Sequence, residues 1–426
     1  MIRVVGMELR RSSALGAALL IALAGLVTLY ATPQRWSTGW MSLAMTQREY
    51  LSLLSPLAMA AGAWQSYREH RAKVAELFRS VPRPQPQRIV PILAATGVAV
   101  ALAYLVSLAG ALPRIAGGYL PGAVVAVTAV GLVAMIASVW IGLAVGRLVP
   151  ALATAPAIAV ADFALQVFAP HAFDDPGLFA AFSPSMGMSQ FSAYDTVAGA
   201  VSVAQAVWVT ALAVAAVVLL AARRRRTGLA ALLPLAVGAA ATLLVVPTGD
   251  EYDKGIVDPV AQQLVCDGPV CVSRVHAPLL PSVEPRARHA LGLLASVPGV
   301  RVTSAHEDTS TVFPPTEPEF RADTALMEVA ADAHGGLAHP ARLETSLITS
   351  AFVGPSDCLT TVNNYLAAHA VAFWLLGSDA GLGFGDPEAV AIWKRLRDAP
   401  DAAARVSAAY RAAQECRDAA AVLGVR

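Results

Sequence analysis

Charge is scarce in this 426-residue chain. Only 14% of its residues are Asp, Glu, Lys or Arg, where a soluble domain carries about 25%. The deficit is concentrated in the first 247 residues. That excludes a soluble fold for this part and leaves a membrane domain followed by a separate polar domain. Lysine is rarer still, at three of the 31 basic residues: Lys73, Lys254 and Lys394. They precede Val, Gly and Arg, so none completes the G-x-x-x-x-G-K-[ST] loop that cradles nucleotide phosphates. A net charge of +1 gives no support for nucleic-acid binding. No H-E-x-x-H helix and no G-x-S-x-G elbow occurs, so those two hydrolase classes have no motif support.

Cysteine is absent from the first 265 residues. Cys266, Cys271, Cys358 and Cys416 all lie in the polar part, which fits an oxidising compartment. Four cysteines allow three pairings. The favoured one joins Cys266 to Cys271 across the CDGPVC turn and Cys358 to Cys416. A C-x4-C spacing without a matching second pair is poor for zinc, and no metal is expected.

What the chain has is apolar length. A hydrocarbon core of about 30 Å needs about 20 residues of helix. Seven runs qualify or approach this: Ala14–Thr32, Leu51–Gln65, Ile89–Leu112, Tyr119–Gly146, Ala151–Ala169, Ala200–Ala222 and Gly228–Pro247. With the N-terminus inside, the short loops hold 14 Lys and Arg inside and three (Arg35, Arg48 and Arg114) outside. The positive-inside rule therefore places the N-terminus in the cytoplasm. Arg223–Arg226 reads as a stop at the inner end of span six. Seven spans put residues 248–426 outside. Trp36 and Trp40, in the outer loop 33–50, suit an interface. The outer loop 170–199 lacks Lys and Arg and is expected to form short re-entrant or interfacial helices.

Residues 67–88, YREHRAKVAELFRSVPRPQPQR, form a basic island between runs two and three. Val74, Leu77 and Phe78 share a helix face at i, i+3 and i+4, and the prolines at 82, 84 and 86 end the helix. An apolar knob on a short cytoplasmic helix is what a membrane subunit needs to seat in a motor domain. The bland alternative is an amphipathic turn on anionic headgroups.

This stretch resembles the coupling-helix region of type-2 ABC exporter permeases. Glu76, Leu77, Phe78, Ser80 and Pro82 occupy the places of that family's E-L-L/F-x-S-x-P segment. Val74 and Ala75 replace its usual Gly-Thr. The six-span order and the N-terminal segment Met1–Arg11 are also similar. The resemblance covers about residues 1–222, and the Arg-rich, Ala-rich composition is that of an actinobacterial member. It implies a six-span helical permease core (1–222), with 223–247 as basic stop and seventh span. Residues 248–426 follow as a disulfide-bonded extracytoplasmic α/β domain. It also implies a cell-membrane exporter that works by alternating access. ATP and Mg would be bound on a separate ATPase docking at 68–83, through Arg71, Val74, Glu76, Leu77, Phe78, Arg79, Ser80 and Pro82. A second permease copy or a sister permease completes the pair. The chain itself is then a transport subunit and not an enzyme.

Polar groups inside spans are costly. Asp162 and Gln166, one turn apart in run five, and Gln205 in run six are candidates for a translocation path or dimer seam. Their bland reading is interhelical hydrogen bonding. Gly131 and Gly142–Gly146 indicate close helix packing. In the outer part, strands are expected at 270–275, 300–305 and 326–330. Helices are expected at 283–295, 340–352, 357–376, 387–398 and 401–421, with 306–320 as a polar loop. Glu307 and Asp308 there look ordinary. Rival functions are a membrane-anchored sensor with a ligand-binding outer domain and a membrane-tethered hydrolase.

Overall fold

The computed structural model describes residues 14–72, 85–115, 117–168, 180–186, 188, 190–222, 225–246, 256–312, 315–318, 320–355, 358, 364–378 and 387–424. It divides into two compact units. One comprises Met1–Trp36, Trp40–Ile115 and Leu120–Val257, the other Ser37–Gly39, Ala116–Tyr119 and Asp258–Arg426.

The first unit is helical. Its Ala-, Leu- and Val-rich runs carry few polar side chains to compete with backbone hydrogen bonds, so each becomes a helix. They are α1 (Ala14–Ala31), α2 (Trp40–Glu49), α3 (Leu51–Arg71), α4 (Gln85–Ala111), α5 (Ala123–Leu148), α6 (Thr154–Phe168), α7 (Gly199–Ala221) and α8 (Leu232–Val245). Four helical stretches are long and apolar enough to cross a membrane: Ala14–Ala31, Ile89–Arg114, Ala123–Leu148 and Gly199–Ala221. Among the described residues, four of the seven expected runs meet this length and composition. The described helical parts of runs five and seven are the 15 residues of α6 and the 14 of α8.

The loop expected at 33–50 is mostly helix. α2 runs almost directly into α3 through Tyr50, whose N–H donates to the Thr46 carbonyl at 3.1 Å. Eight consecutive residues of α2, Met41 to Arg48, are buried. Trp36 is fully buried instead of interfacial, and its indole N–H donates to the Leu29 carbonyl at 2.8 Å. α3 and α5 pack backbone to backbone: a Cβ added at Gly62 would meet the Val139 carbonyl oxygen at 2.2 Å, and one at Gly146 the Ala63 carbonyl oxygen at 2.6 Å. Gly131 leaves room for the buried phenol of Tyr104.

The second unit is mixed α/β. Its four-stranded sheet is β1 (Leu264–Asp267), β2 (Val270–Ser273), β3 (Ser304–Glu307) and β4 (Thr324–Met327), adjacent in that order. β1 and β2 form an antiparallel hairpin, turned at Gly268 with φ +56°, a conformation glycine adopts without steric cost. β2, β3 and β4 are parallel. α9 (Leu280–Ala295) makes the crossover from β2 to β3 and buries Val283, Ala287, Ala290 and Leu294, at helical spacing. α10 (Pro340–Val353), α11 (Tyr365–Leu376), α12 (Pro387–Arg397) and α13 (Ala402–Gln414) complete the core.

Several boundaries differ from expectation: the strand expected at 300–305 lies at Ser304–Glu307, and that expected at 326–330 lies at Thr324–Met327. The second strand ends at Ser273, because a 3-10 helix over Arg274–Leu279 follows. The 306–320 loop begins later, because His306 and Glu307 pair within β3. β1 was not expected at all. Of the helix expected at 357–376, the described part is the 12-residue α11, whose Ala367, Ala368, Ala370, Val371, Ala372 and Phe373 are buried. Cys266 and Cys271 are cross-strand partners in the hairpin and form one disulfide; Cys358 and Cys416 form the other.

Candidate functional site: a buried polar junction

The polar residues singled out in runs five and six meet at one place in the first unit. Ala180–Phe182 form a helical turn that leads into Ser183, Pro184 and Ser185. Gln205 of α7, itself buried, donates from Nε2 to the carbonyls of Ala180 at 2.7 Å and Ser183 at 3.1 Å. From α6, the Gln166 Oε1 accepts from the Ser185 hydroxyl at 2.9 Å. Gln166 Nε2 in turn donates to Asp162 Oδ2 at 2.9 Å, and that oxygen also accepts from the Ser55 hydroxyl of α3 at 2.6 Å. Asp162, Gln166 and Gln205 are therefore brought into one network through the 183–185 segment.

Sequence reasoning missed a fourth member. Arg48 of α2 is 0% exposed, and its Nε–H donates to the Pro184 carbonyl at 2.8 Å. Its two terminal guanidinium nitrogens have no hydrogen-bond partner among the described residues, and it joins none of the ion pairs found there. Counted as a surface charge in an outer loop, Arg48 sits in the interior. The available signal was periodicity: Met41, Ala44 and Met45 lie seven, four and three residues before it, on one helix face. Glu49, by contrast, turns outward and pairs with Arg35 at 2.6 Å.

An uncompensated interior cation is expensive, at several kcal/mol after relaxation. The surroundings are apolar. Met41, Ala44, Met45, Val124, Val127, Ala180, Ala181, Met188, Val197 and Val201 form one buried cluster beside the junction. Gln47, the neighbour of Arg48, faces elsewhere and donates to the Ser107 hydroxyl of α4 at 2.7 Å. The junction thus combines a buried guanidinium, amides and hydroxyls, and a carboxylate in an apolar frame. That set can bind and orient a polar group.

Of the expected docking residues, Arg71 is the exposed last residue of α3. Val74, Glu76, Leu77, Phe78, Arg79, Ser80 and Pro82 lie outside the described residues.

The second unit holds a different polar cluster. His276 Nδ1 and Glu307 Oε1 are 2.5 Å apart, both residues 2% exposed. The Ser273 N–H donates to Glu307 Oε2 at 2.6 Å. Glu307, read from sequence as an ordinary loop carboxylate, is the buried end of β3. The Ser273 hydroxyl lies 3.3 Å from His276 Nδ1, the same nitrogen that meets the carboxylate. In a serine hydrolase the two imidazole nitrogens are divided between Ser and acid. This cluster does not have that arrangement. Among the described residues, no group of three or more His, Cys, Asp and Glu is placed to hold a metal ion. Comparison with family models, curated proteins and solved structures gave no match to this chain.

Proposed function

We propose that this chain is the membrane subunit of an ABC-type exporter, moving a substrate outward by alternating access with energy from a separate ATPase. The observation that carries this reading is the polar junction. Arg48, Gln166 and Gln205, from three helices, close on one short segment, and Ser55 and Asp162 extend the network through Gln166. Membrane proteins concentrate costly polar groups where substrates or ions pass. The exposed basic end of α3 at Arg68 and Arg71 leads into the segment that resembles a coupling helix. ATP and Mg reside on the partner, which docks on 68–83. A second permease copy or a sister permease completes the transport pathway. The four long apolar helices support a place in the cell membrane. The two disulfides support an extracytoplasmic location for the second unit, which with the N-terminus inside takes all seven apolar runs as spans.

The test is purification of the tagged full chain from membranes of its native host. An ATPase that co-purifies, and is lost on charge reversal of Arg71, Arg79 and Arg83, is the expected result. An ATPase retained by the reversed variant overturns the docking segment. No ATPase with the parent chain overturns the exporter reading.

A further inference from the structure

Among the described residues, Arg48 is a buried cation with two unpartnered nitrogens. A guanidinium offers five N–H donors and stays charged. Here only the Nε–H is used, by the Pro184 carbonyl, and both terminal nitrogens are orphaned among the described residues. The described carboxylates nearby are already engaged. Glu49 holds Arg35. Asp162 takes two donors on one oxygen, from Ser55 and Gln166. Asp195 accepts from the backbone N–H of Ser192 at 2.9 Å and from its hydroxyl at 2.6 Å.

A buried charge left in this state is retained at the expense of stability, a pattern of binding sites more than of cores. The neighbourhood gives the rest of the ligand. Met41 and Met45 lie on the Arg48 face of α2, and Met188 belongs to the same cluster as both. Methionine side chains are flexible and polarizable and adapt to varied apolar shapes. The 183–185 segment, whose Pro184 carbonyl takes the Nε–H, is held by side chains from α2, α6 and α7.

We propose that Arg48 is the recognition point for the anionic head, a carboxylate or phosphate, of an amphipathic molecule whose apolar part lies against Met41, Met45 and Met188. Binding exchanges the neutral Pro184 carbonyl for a charged acceptor, which forms shorter and stronger bonds to a guanidinium. The 183–185 segment moves aside to admit it. This deepens the exporter reading by giving its substrate class, and it rests on that reading only for the direction of travel.

The experiment uses the full chain in phosphatidylcholine nanodiscs, without an ATPase, so that failure to bind leaves the partner test above intact. Dodecyl phosphate, dodecyltrimethylammonium and inorganic phosphate are titrated by native mass spectrometry. Dodecyl phosphate is expected to bind one per chain. Arg48→Gln should weaken it at least tenfold and Arg48→Lys less. The cation should not bind, and inorganic phosphate should bind at least tenfold more weakly than the dodecyl ester. Without ligand, Arg48→Gln should melt at or above the parent temperature, because an unpaired buried charge is removed. Repeating the titration in phosphatidylglycerol nanodiscs separates the sources. Competition identifies a bilayer lipid as the anion, and unchanged affinity identifies a molecule other than lipid; either supports the site. Arg48→Gln binding within twofold of the parent overturns the proposal. So does an Arg48→Gln chain that melts well below the parent, which would mark Arg48 as structurally paired.

Discussion

Gly142 of α5 lies so close to Met59 of α3 that a Cβ on the glycine would sit 2.0 Å from the Met59 carbonyl oxygen. Together with Gly62 and Gly146, this contact brings two helix backbones together in the way small residues allow between apolar helices. Ser66 uses the proximity, and its hydroxyl donates to the Leu143 carbonyl at 2.8 Å. Gly142→Val is therefore expected to separate the helices and cost at least about 3 kcal/mol. Thermal unfolding of the detergent-purified chain should show the loss. Gly199→Ala, at the open start of α7 with nothing within 4 Å of the new methyl, should be neutral. Equal melting of the Gly142→Val chain and the parent would contradict the packing.

The two disulfides close very different loops. Their sequence separations are 5 for Cys266–Cys271 and 58 for Cys358–Cys416. Chain-entropy reasoning assigns about 2 kcal/mol to the first and about 4 kcal/mol to the second. Replacing Cys358 and Cys416 by Ala should lower the melting temperature of the second unit by more than replacing Cys266 and Cys271. Alkylation of the parent chain without reductant should leave all four cysteines unlabelled.

His276 and Glu307 stabilise the sheet only as a pair. Removing one partner from a buried pair costs about 3 kcal/mol or more, because the other group loses a close partner in the interior. Glu307→Ala also strips the Ser273 N–H of its acceptor. Hydrogen exchange across β2 and β3 in the full chain should accelerate in Glu307→Ala. His276→Leu combined with Glu307→Leu should recover part of the loss. If Glu307→Ala leaves exchange unchanged, the pair carries no stability.

Gln205 holds the 180–183 backbone from one side. Each of its hydrogen bonds is worth about 1 kcal/mol net. Gln205→Leu should raise amide exchange at 180–186 by about tenfold or more, while the interior of α5 keeps its protection. Slow exchange at 180–186 in that variant would show that the segment does not depend on α7.

Asp332 shapes the turn that leads toward α10. Its Oδ1 accepts from the backbone N–H of His334 at 2.7 Å and of Gly336 at 2.9 Å. The Gly336 bond first, then the His334 bond, holds its carboxyl below the ordinary carboxylate range. A depressed folded value means stability that is present above the unfolded carboxylate's pKa and is lost as pH falls through the folded one. Acid titration of the parent should destabilise this turn below about pH 4, by a small amount because the group is near solvent. Asp332→Asn should remove that part of the acid dependence. An identical acid profile in the variant would contradict the assignment.

Much of the first unit was legible in the sequence. All seven apolar runs are largely helical, since propensity and apolar patterning act over a few turns. Four of them are long and apolar enough to cross a membrane among the described residues. Asp162, Gln166 and Gln205 were recognisable because a polar side chain in an apolar run is conspicuous by itself. Arg48 was not, because it adjoins an apolar stretch and resembles an ordinary loop charge. Glu307 was missed for the same reason, since His306 and Glu307 beside Asp308 read as solvated loop.

The sequence by itself determined the division into an apolar half and a polar half, the confinement of cysteine to the latter, and the lack of a nucleotide-phosphate loop. These follow from composition and short-range spacing. Only the tertiary structure decided which polar groups meet. Arg48 reaches Pro184 across 136 positions, and His276 reaches Glu307 across 31. Such meetings depend on how helices and strands pack, which no local periodicity encodes. That packing is also what strands a guanidinium in an apolar interior, where the field of an unpaired charge is screened least.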